Sequence, residues 1–434
     1  MLRHYIQARP VARALATNSA WLVLDRLVRA ALTLTVGAWI ARAYGPSIYG
    51  EYTYAITFVA LFLGIANLGA SDLVVRDLAH SPQNAGHTLG TVFLLRLAAG
   101  LLCWALAVLA VHLSRPQDGT ATKLVALIGL SLVLQATDTV DLWLQSQSRN
   151  RLAVSAKLIG YVVGNLTRIG LVLAHAPLWV LALSVAAEAA WAALALGLAY
   201  RHAPCSAHWR FDQRFAISLL RQSWPFMLSG VAVLIYMRID QLMIREMLGD
   251  AALGLYSSAV TVSQMWYFVP VALCTALAPH IARKKLHDDA AYMLALGQVF
   301  KLFAMGSLAL TVGTMVLAQP LIQMLYGPDY AAAASVLSIH VWSNVAVFLG
   351  VAQGLWLVNE RLGRLTLYRT LLGAASSVLG NLVLIPSWGL KGAAISTVLA
   401  MFISAIASNA VLAPKILALQ LRAFVPSRIW RRTS

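Results

Sequence analysis

The chain has 434 residues, of which 60% are hydrophobic and 11% are charged, against roughly 25% charged residues in soluble domains. This composition excludes a soluble globular protein and predicts an integral membrane protein. The net charge of +17 does not indicate nucleic-acid binding, because Lys and Arg fall mostly in short segments between apolar runs.

Apolar runs that are long enough to cross a bilayer, which takes roughly 20 helical residues, recur about twelve times. Breaks such as Gly45-Pro46, Gly249-Asp250 and Gln319-Pro320 lie at or near their ends. The predicted spans are 18–43, 52–74, 88–113, 121–146, 152–175, 178–200, 216–246, 252–279, 291–318, 331–358, 365–386 and 389–413.

The distribution of Lys and Arg predicts how these spans are oriented. Twenty-two of these residues fall on the side of the N-terminus, five fall on the opposite side, and six lie inside the spans. Because positive residues accumulate on the cytoplasmic side, both termini are expected in the cytoplasm, as an even number of crossings requires.

The longest cytoplasmic connection divides the predicted spans into two sets of six. We expect an N-terminal six-helix lobe at 1–203, a cytoplasmic linker at 204–222, and a C-terminal six-helix lobe at 223–434 that ends in a basic cytoplasmic tail. The linker segment 211–220 (FDQRFAISLL) fits either an amphipathic interfacial helix or an ordinary lead into span seven.

A short motif occurs once in each predicted lobe, after its first span. The segments GPSIYGEYTYAIT (45–57) and GDAALGLYSSAVT (249–261) share the spacing Gly-x4-Gly-x-Tyr-x2-Ala-x-Thr at an offset of 204 residues. Equal placement in two six-span halves indicates an internal duplication, with a pseudo-two-fold axis along the membrane normal.

Charged side chains also occur inside the predicted spans, where an unpartnered ion costs between about 2.5 and more than 10 kcal/mol. They either converge on a hydrated interior or pair and snorkel separately. Asp25 and Arg29 are four residues apart and can pair on one helix face, and Asp138 and Asp141 share a face in span four. Glu188 lies in span six.

Five of the six basic groups inside the spans are Arg, whose planar fork matches phosphate oxygens. A basic wet interior therefore predicts an anionic guest such as a phosphate ester, with nearby carboxylates that compete for the cations and allow release. The candidate substrate-binding residues are Asp25, Arg26, Arg29, Arg96, Asp138, Asp141, Arg168, Arg238, Asp240 and Lys301.

Motifs for catalysis are missing from the sequence. There is no Gly-rich Walker A loop, and the ten His and three Cys residues do not form a cluster with metal-ligand spacing. We therefore expect a transporter without catalytic residues, cofactor or metal; whether H+ or Na+ is a coupling ion is left open.

Several sequence features together resemble those of bacterial polysaccharide flippases. Trp224-Pro225 opens span seven, Arg238-Ile239-Asp240 follows, and Leu248-Gly249 precedes the second copy of the repeated motif. Further matches are Tyr49-Gly50, Leu325-Tyr326-Gly327, Tyr330 and Gly389 through Ala394. The order and spacing are similar to those of the multidrug/oligosaccharidyl-lipid/polysaccharide exporter superfamily.

The resemblance implies an all-α integral membrane protein with about twelve transmembrane helices, in two pseudo-two-fold-related six-helix lobes around a central cavity. It implies a multi-pass flippase of the bacterial inner (cytoplasmic) membrane. Such a flippase moves undecaprenyl-diphosphate-linked oligosaccharide from the cytoplasmic to the outer leaflet by alternating access, for O-antigen, capsule or exopolysaccharide assembly. The expected partners are this lipid-linked oligosaccharide, membrane lipids, and optionally a polysaccharide polymerase and a chain-length regulator.

Two alternatives share the same architecture: a cation-coupled multidrug exporter of the same superfamily and a lipid-II-type flippase. The exporter is disfavoured by six basic against five acidic groups inside the spans. A membrane enzyme of the same glycan pathway is disfavoured because no outer connection is long enough to carry a catalytic loop.

Overall fold

The computed structural model describes residues 2–202, 205 and 208–424, and side chains from Asp25 onward. Within these residues the chain is all-helical and contains no β-strand. Most of the predicted basic tail, and linker positions 204, 206 and 207, lie outside the described residues. The helices are α1 Leu2–Ala66, α2 Ser71–His80, α3 Ala85–Ser114, α4 Gly119–Leu134, α5 Asp138–Ser146, α6 Asn150–Leu173, α7 Leu178–Arg201, α8 Gln213–Leu248, α9 Asp250–Gln264, α10 Phe268–His287, α11 Asp289–Val316, α12 Ala318–Tyr326, α13 Ala333–His340, α14 Ser343–Asn359, α15 Gly363–Phe402, α16 Asn409–Leu412 and α17 Pro414–Arg422.

Ten helical stretches of the described chain are long and apolar enough to cross a membrane, which confirms a multi-pass membrane protein. Two of them, Asp25–His80 with 56 residues and Gly363–Leu412 with 50, are far longer than one crossing needs. Each contains a glycine with non-helical backbone angles, Gly45 and Gly389. The count of twelve membrane crossings stays a prediction. It requires that each of these two stretches crosses the membrane twice.

The helix ends follow local chemistry. The Asp118 side chain accepts a hydrogen bond from Ala121 N at 2.9 Å and caps α4, and Asp288 caps α11 in the same way. Pro414 begins α17, where its missing N–H costs nothing. Capping aspartates and a proline therefore mark the starts of these helices.

The described chain forms two compact units. The first consists of residues up to Ala43 together with Glu51–Arg238, and the second consists of Tyr44–Gly50 together with residues from Ile239 onward. The division falls inside α8, so residues 208–222 of the predicted linker belong to the first unit. The six-span lobes bounded at 203 and 223 are defined by membrane crossings and remain a prediction.

Each unit has its own apolar core. In the first unit, Leu78 of α2, Leu89 of α3 and Leu144 of α5 are fully buried in one cluster. In the second unit, Phe303 of α11 and Phe348 of α14 pack edge to face, with ring centroids 6.0 Å apart.

The two copies of the repeated motif have the same backbone geometry and contact each other within the second unit. Gly45 and Gly249 have φ angles of 75° and 90° with extended ψ angles, a region that is essentially open to glycine alone. A Cβ atom on Gly50 would collide with the carbonyl oxygen of Asp250, and one on Gly254 would collide with that of Pro46. The contact is thus reciprocal at the offset of 204 residues, as a two-fold relation requires.

Candidate functional site

One face of α6 carries a row of polar side chains. Lys157, Tyr161, Asn165 and Arg168 are spaced by four, four and three residues, so they lie above one another along about 16 Å of helix. We call these four residues the α6 stripe. The two charged members, Lys157 and Arg168, each contact a carboxylate from another helix. Tyr161 contacts a third cation, Arg29 of α1.

Lys157, near the N-terminal end of α6, is held by two carboxylates of α5. Its Nζ atom lies 3.1 Å from Asp138 Oδ1 and 2.9 Å from Asp141 Oδ2. Gln145 donates a further hydrogen bond to Asp141 at 2.9 Å. Asp138 and Asp141 share a face as the sequence predicts, but their cation Lys157 is one of the twenty-two basic residues that the count assigned to the side of the N-terminus.

Arg96 of α3 is the most deeply buried of the predicted site arginines in the described part of the chain. The residue is 3% exposed, and its Nη2 atom donates a hydrogen bond to Ser71 Oγ at 3.0 Å. Asp138 and Asp141 are close enough to act on it electrostatically. Its Nε and Nη1 atoms have no hydrogen-bond partner among the described residues.

The middle of the α6 stripe is tied to α1 by Tyr161. The guanidinium carbon of Arg29 lies 4.7 Å from the centre of the Tyr161 ring, which is a cation–π contact. The Tyr161 hydroxyl donates to the Arg29 carbonyl oxygen at 3.2 Å and lies 2.6 Å from Thr33 Oγ1. Arg29 also pairs with Asp25 at 2.9 Å, as their spacing predicts.

Arg168, at the C-terminal end of the α6 stripe, pairs with Glu188 of α7. Its Nη1 atom lies 2.7 Å from Glu188 Oε2, and its Nε atom donates to Ser184 Oγ at 3.3 Å. The hydroxyl of Tyr52, a residue of the repeated motif, accepts a hydrogen bond from Arg168. Tyr161 is near enough to interact electrostatically with Arg29, Arg168 and Glu188, so these groups form one cluster.

This cluster is balanced in charge, since Asp25 faces Arg29 and Glu188 faces Arg168. The two arginines differ in access: the Arg29 side chain is 34% exposed, whereas that of Arg168 is 11% exposed. Arg29 can therefore offer unused N–H donors to an anion, while Arg168 is already enclosed by its partners.

The remaining predicted site residues are not brought into this cluster. Arg26 and Lys301 are half-buried and have no ion pair within residues 25–424, gaps excepted, and Arg238 is a half-buried residue of α8 at the end of the first unit. Asp240 is 3% exposed, and its Oδ2 atom accepts hydrogen bonds from Tyr256 at 2.6 Å and Thr397 at 3.1 Å.

The second unit contains buried neutral polar groups that no sequence pattern indicates. Gln353, Asn409 and Gln420 are at most 1% exposed and hydrogen-bond to one another through their amides. His340 and Asn344, both fully buried, contact Ser263. Single amides in apolar runs carry no spacing signal, so only the folded chain reveals these networks.

Comparisons with known proteins place this geometry in context. A model of the family described as "Polysaccharide biosynthesis protein" matches residues 39–335. No protein with a curated description matches the sequence.

Several solved structures are similar in fold. The lipid II flippase MurJ, in an inward closed conformation, superposes with a TM-score of 0.72 at 13% identity, over 94% of this chain and 90% of that chain. An inward-facing multidrug resistance MATE family transporter of the MOP superfamily gives a TM-score of 0.70 at 14% identity, over 95% and 100%. A MOP superfamily transporter from Pyrococcus furiosus gives 0.64 at 15%, over 94% and 96%. At these identities the likeness concerns the fold, which is that of flippases and transporters of this superfamily.

Proposed function

The chain belongs to the polysaccharide biosynthesis protein family, and from this premise we propose that it is a flippase for undecaprenyl-diphosphate-linked oligosaccharide. It moves this lipid from the cytoplasmic to the outer leaflet of the bacterial inner membrane, for O-antigen, capsule or exopolysaccharide assembly. Both termini lie in the cytoplasm, so the Lys157 end of the α6 stripe is the cytoplasmic end. Transport proceeds by alternating access and makes or breaks no covalent bond.

The contact between Arg29, Asp25 and Tyr161 carries this proposal. A diphosphate group replaces Asp25 as the partner of Arg29, because the guanidinium fork donates two parallel hydrogen bonds to phosphate oxygens. Tyr161 keeps the guanidinium in place through its ring during the exchange. Asp25 remains one helical turn away and regains Arg29 when the substrate leaves, which makes binding reversible.

Two other predicted site residues, Arg96 and Arg168, extend the path of the diphosphate. Arg96 has two nitrogen atoms, Nε and Nη1, without a partner in the described structure, and their N–H groups donate to phosphate oxygens when the first unit opens around them. Arg168 releases Glu188 in the same exchange that Arg29 makes with Asp25. The proposed substrate-binding set is therefore kept as Asp25, Arg26, Arg29, Arg96, Asp138, Asp141, Arg168, Arg238, Asp240 and Lys301.

A lipid-II-type flippase is the second candidate, favoured by the TM-score of 0.72 to the lipid II flippase MurJ. Both candidates use cations for a lipid-linked anion, so the α6 stripe serves either one. A multidrug exporter of organic cations is less consistent with a half-buried, accessible Arg29 at the centre of the cluster.

Purified protein in vesicles tests which substrate moves. Fluorescent undecaprenyl-diphosphate oligosaccharide, fluorescent lipid II and a cationic dye are offered separately, and we expect flipping of the first. Preferred movement of lipid II supports the second candidate, and movement of the dye alone overturns both.

Complementation of a flippase-null strain tests the site. Arg29→Ala and Arg238→Ala are expected to abolish surface glycan, whereas Arg42→Ala, an exposed arginine on the same helix as Arg29, retains it. Full glycan display with Arg29→Ala and Arg238→Ala at normal expression would contradict the site assignment.

A further inference from the structure

A cavity of about 450 Å³ opens at the surface of the first unit, where the end of α2 meets the starts of α3 and α8. Its walls include Asp77 and His80 from α2, Asn84 and His87 at the start of α3, and Asp212 and Phe215 at the start of α8. None of these residues belongs to the α6 stripe or to the proposed diphosphate site. We call this space the linker cavity.

The wall formed by residues 209–212 is fixed firmly to α3. Arg210 N donates to the Gly86 carbonyl oxygen at 3.1 Å, and Asp212 N donates to Thr91 Oγ1 at 2.9 Å. Gly90 permits this approach, because a Cβ atom there would lie 2.6 Å from the Arg210 backbone nitrogen. This wall of the linker cavity is therefore held in place by two hydrogen bonds from backbone N–H groups.

Polar groups in the linker cavity are left with unused bonding capacity. Asp212 Oδ1 accepts from Arg214 N at 2.8 Å and Phe215 N at 3.1 Å, which leaves Oδ2 open. Asp77 likewise uses only Oδ1, for Arg76. Asn84 and His87 are exposed residues that line the cavity, so their side chains are accessible to a ligand.

The chemistry of this lining selects among ligand classes. Among the described residues, no group of three or more His, Cys, Asp or Glu side chains could hold a metal ion. Two carboxylates disfavour an anion, and the many polar groups disfavour a purely apolar ligand. Sugar hydroxyls donate to carboxylates and accept from amide and imidazole N–H groups, and the Phe215 ring offers a flat apolar surface for a sugar face.

We propose that the linker cavity binds uncharged sugar residues of the lipid-linked oligosaccharide. This inference rests on the proposed function and adds a second site to it. The connection between α2 and α3 is cytoplasmic in the predicted orientation, so the cavity receives the glycan before translocation. A volume of about 450 Å³ lies within the roughly 300–1,000 Å³ range of small-molecule sites and has room for a short oligosaccharide.

Two substrates that differ only in their sugar portion test this inference in vesicles containing the full chain. One is undecaprenyl diphosphate with a single N-acetylglucosamine, and the other is the complete lipid-linked unit that accumulates in cells lacking the flippase. The test variant is Asn84→Ala/His87→Ala, and the matched control is Gln83→Ala/His112→Ala, which alters an exposed amide and an exposed imidazole outside the cavity.

The test variant is expected to raise the KM for the complete unit about tenfold, the effect of two lost hydrogen bonds, and to leave the single-sugar lipid unchanged. The control is expected to transport both substrates like the wild type. Equal rates for wild type and test variant on the complete unit overturn the inference, and so does an equal loss on both substrates. Wild-type protein that moves neither lipid overturns the proposed function itself, which is a different result.

Discussion

The two units bury polar groups in different ways. The first unit places its ion pairs along the α6 stripe, Lys157 with Asp138 and Asp141 and Arg168 with Glu188. The second unit buries an arginine, Arg245, in a pair with Asp250, and it adds a network of neutral amides and two hydroxyl groups that donate to Asp240. Buried ions in a membrane cost far more than buried amides unless they are paired. We infer that the ions of the first unit are retained for a charged substrate.

The equivalent tyrosines of the repeated motif show this difference at a single position. Tyr52 accepts a hydrogen bond from the cation Arg168, whereas Tyr256 donates one to the anion Asp240 at 2.6 Å. The backbone of the motif is therefore shared by both copies, but the charge beside it has opposite sign. The predicted duplication accounts for the shared geometry, and the charges beside the two tyrosines differ.

The largest expected effect comes from Arg168→Met, which leaves Glu188 buried without its cation. Breaking a buried pair on one side costs about 3–5 kcal/mol of unfolding free energy. Thermal unfolding in detergent and glycan flipping in vesicles measure the loss. The double variant Arg168→Met/Glu188→Met is expected to regain stability without regaining transport; recovery of transport would remove Arg168 from the site.

A direct comparison of the two tyrosines sharpens the contrast between the units. Tyr256→Phe deprives the buried Asp240 of a donor and is expected to cost about 1.5–3 kcal/mol, since hydrogen bonds to charged groups are the stronger ones. Tyr52→Phe is expected to cost less, because Arg168 keeps Glu188. Equal losses in thermal stability for the two variants would show that their partners do not matter.

Lys157→Met exposes the repulsion between Asp138 and Asp141. The expected cost is about 1–3 kcal/mol, below that for Arg168 because the Lys157 side chain is 32% exposed and water screens the carboxylates. Lys157→Arg serves as the control and should preserve stability. If Lys157→Met is as stable as the wild type, the pair of carboxylates is protonated or solvated in the membrane.

Tyr161→Phe has the smallest expected effect, about 1 kcal/mol of stability, because the ring over Arg29 remains and only the hydroxyl bonds are lost. Tyr161→Leu also removes the cation–π contact and should reduce flipping several-fold further. Identical transport by Tyr161→Phe and Tyr161→Leu would mean that the ring does not position Arg29.

Hydropathy predicted the helices well, because each crossing needs a long apolar run and the runs are separated by glycine, proline and capping residues. It also predicted local pairs such as Asp25 with Arg29, which depend only on helical spacing. Ten candidate spans appear where about twelve were expected, since the two longest stretches each run on past a glycine, Gly45 or Gly389.

Contacts between helices could not be predicted from the sequence. Lys157 lies close to the start of α6, so a count of positive residues treats it as part of the cytoplasmic edge, although α5 brings two carboxylates to it. Arg168 and Glu188 were both recognised as charges inside spans, yet their pairing depends on how α6 packs on α7. The buried amides of Gln353, Asn409 and Gln420 acquire meaning only when three segments meet.

The reciprocal contact of Gly50 and Gly254 with the carbonyl groups of Asp250 and Pro46 has the form of an isologous interface. The internal duplication predicted from the sequence implies an ancestor with one copy of the motif, and a self-complementary surface of this kind is what a homodimer of that ancestor would need. Both copies keep the glycine that lets the other copy approach, together with the Tyr, Ala and Thr of the shared spacing.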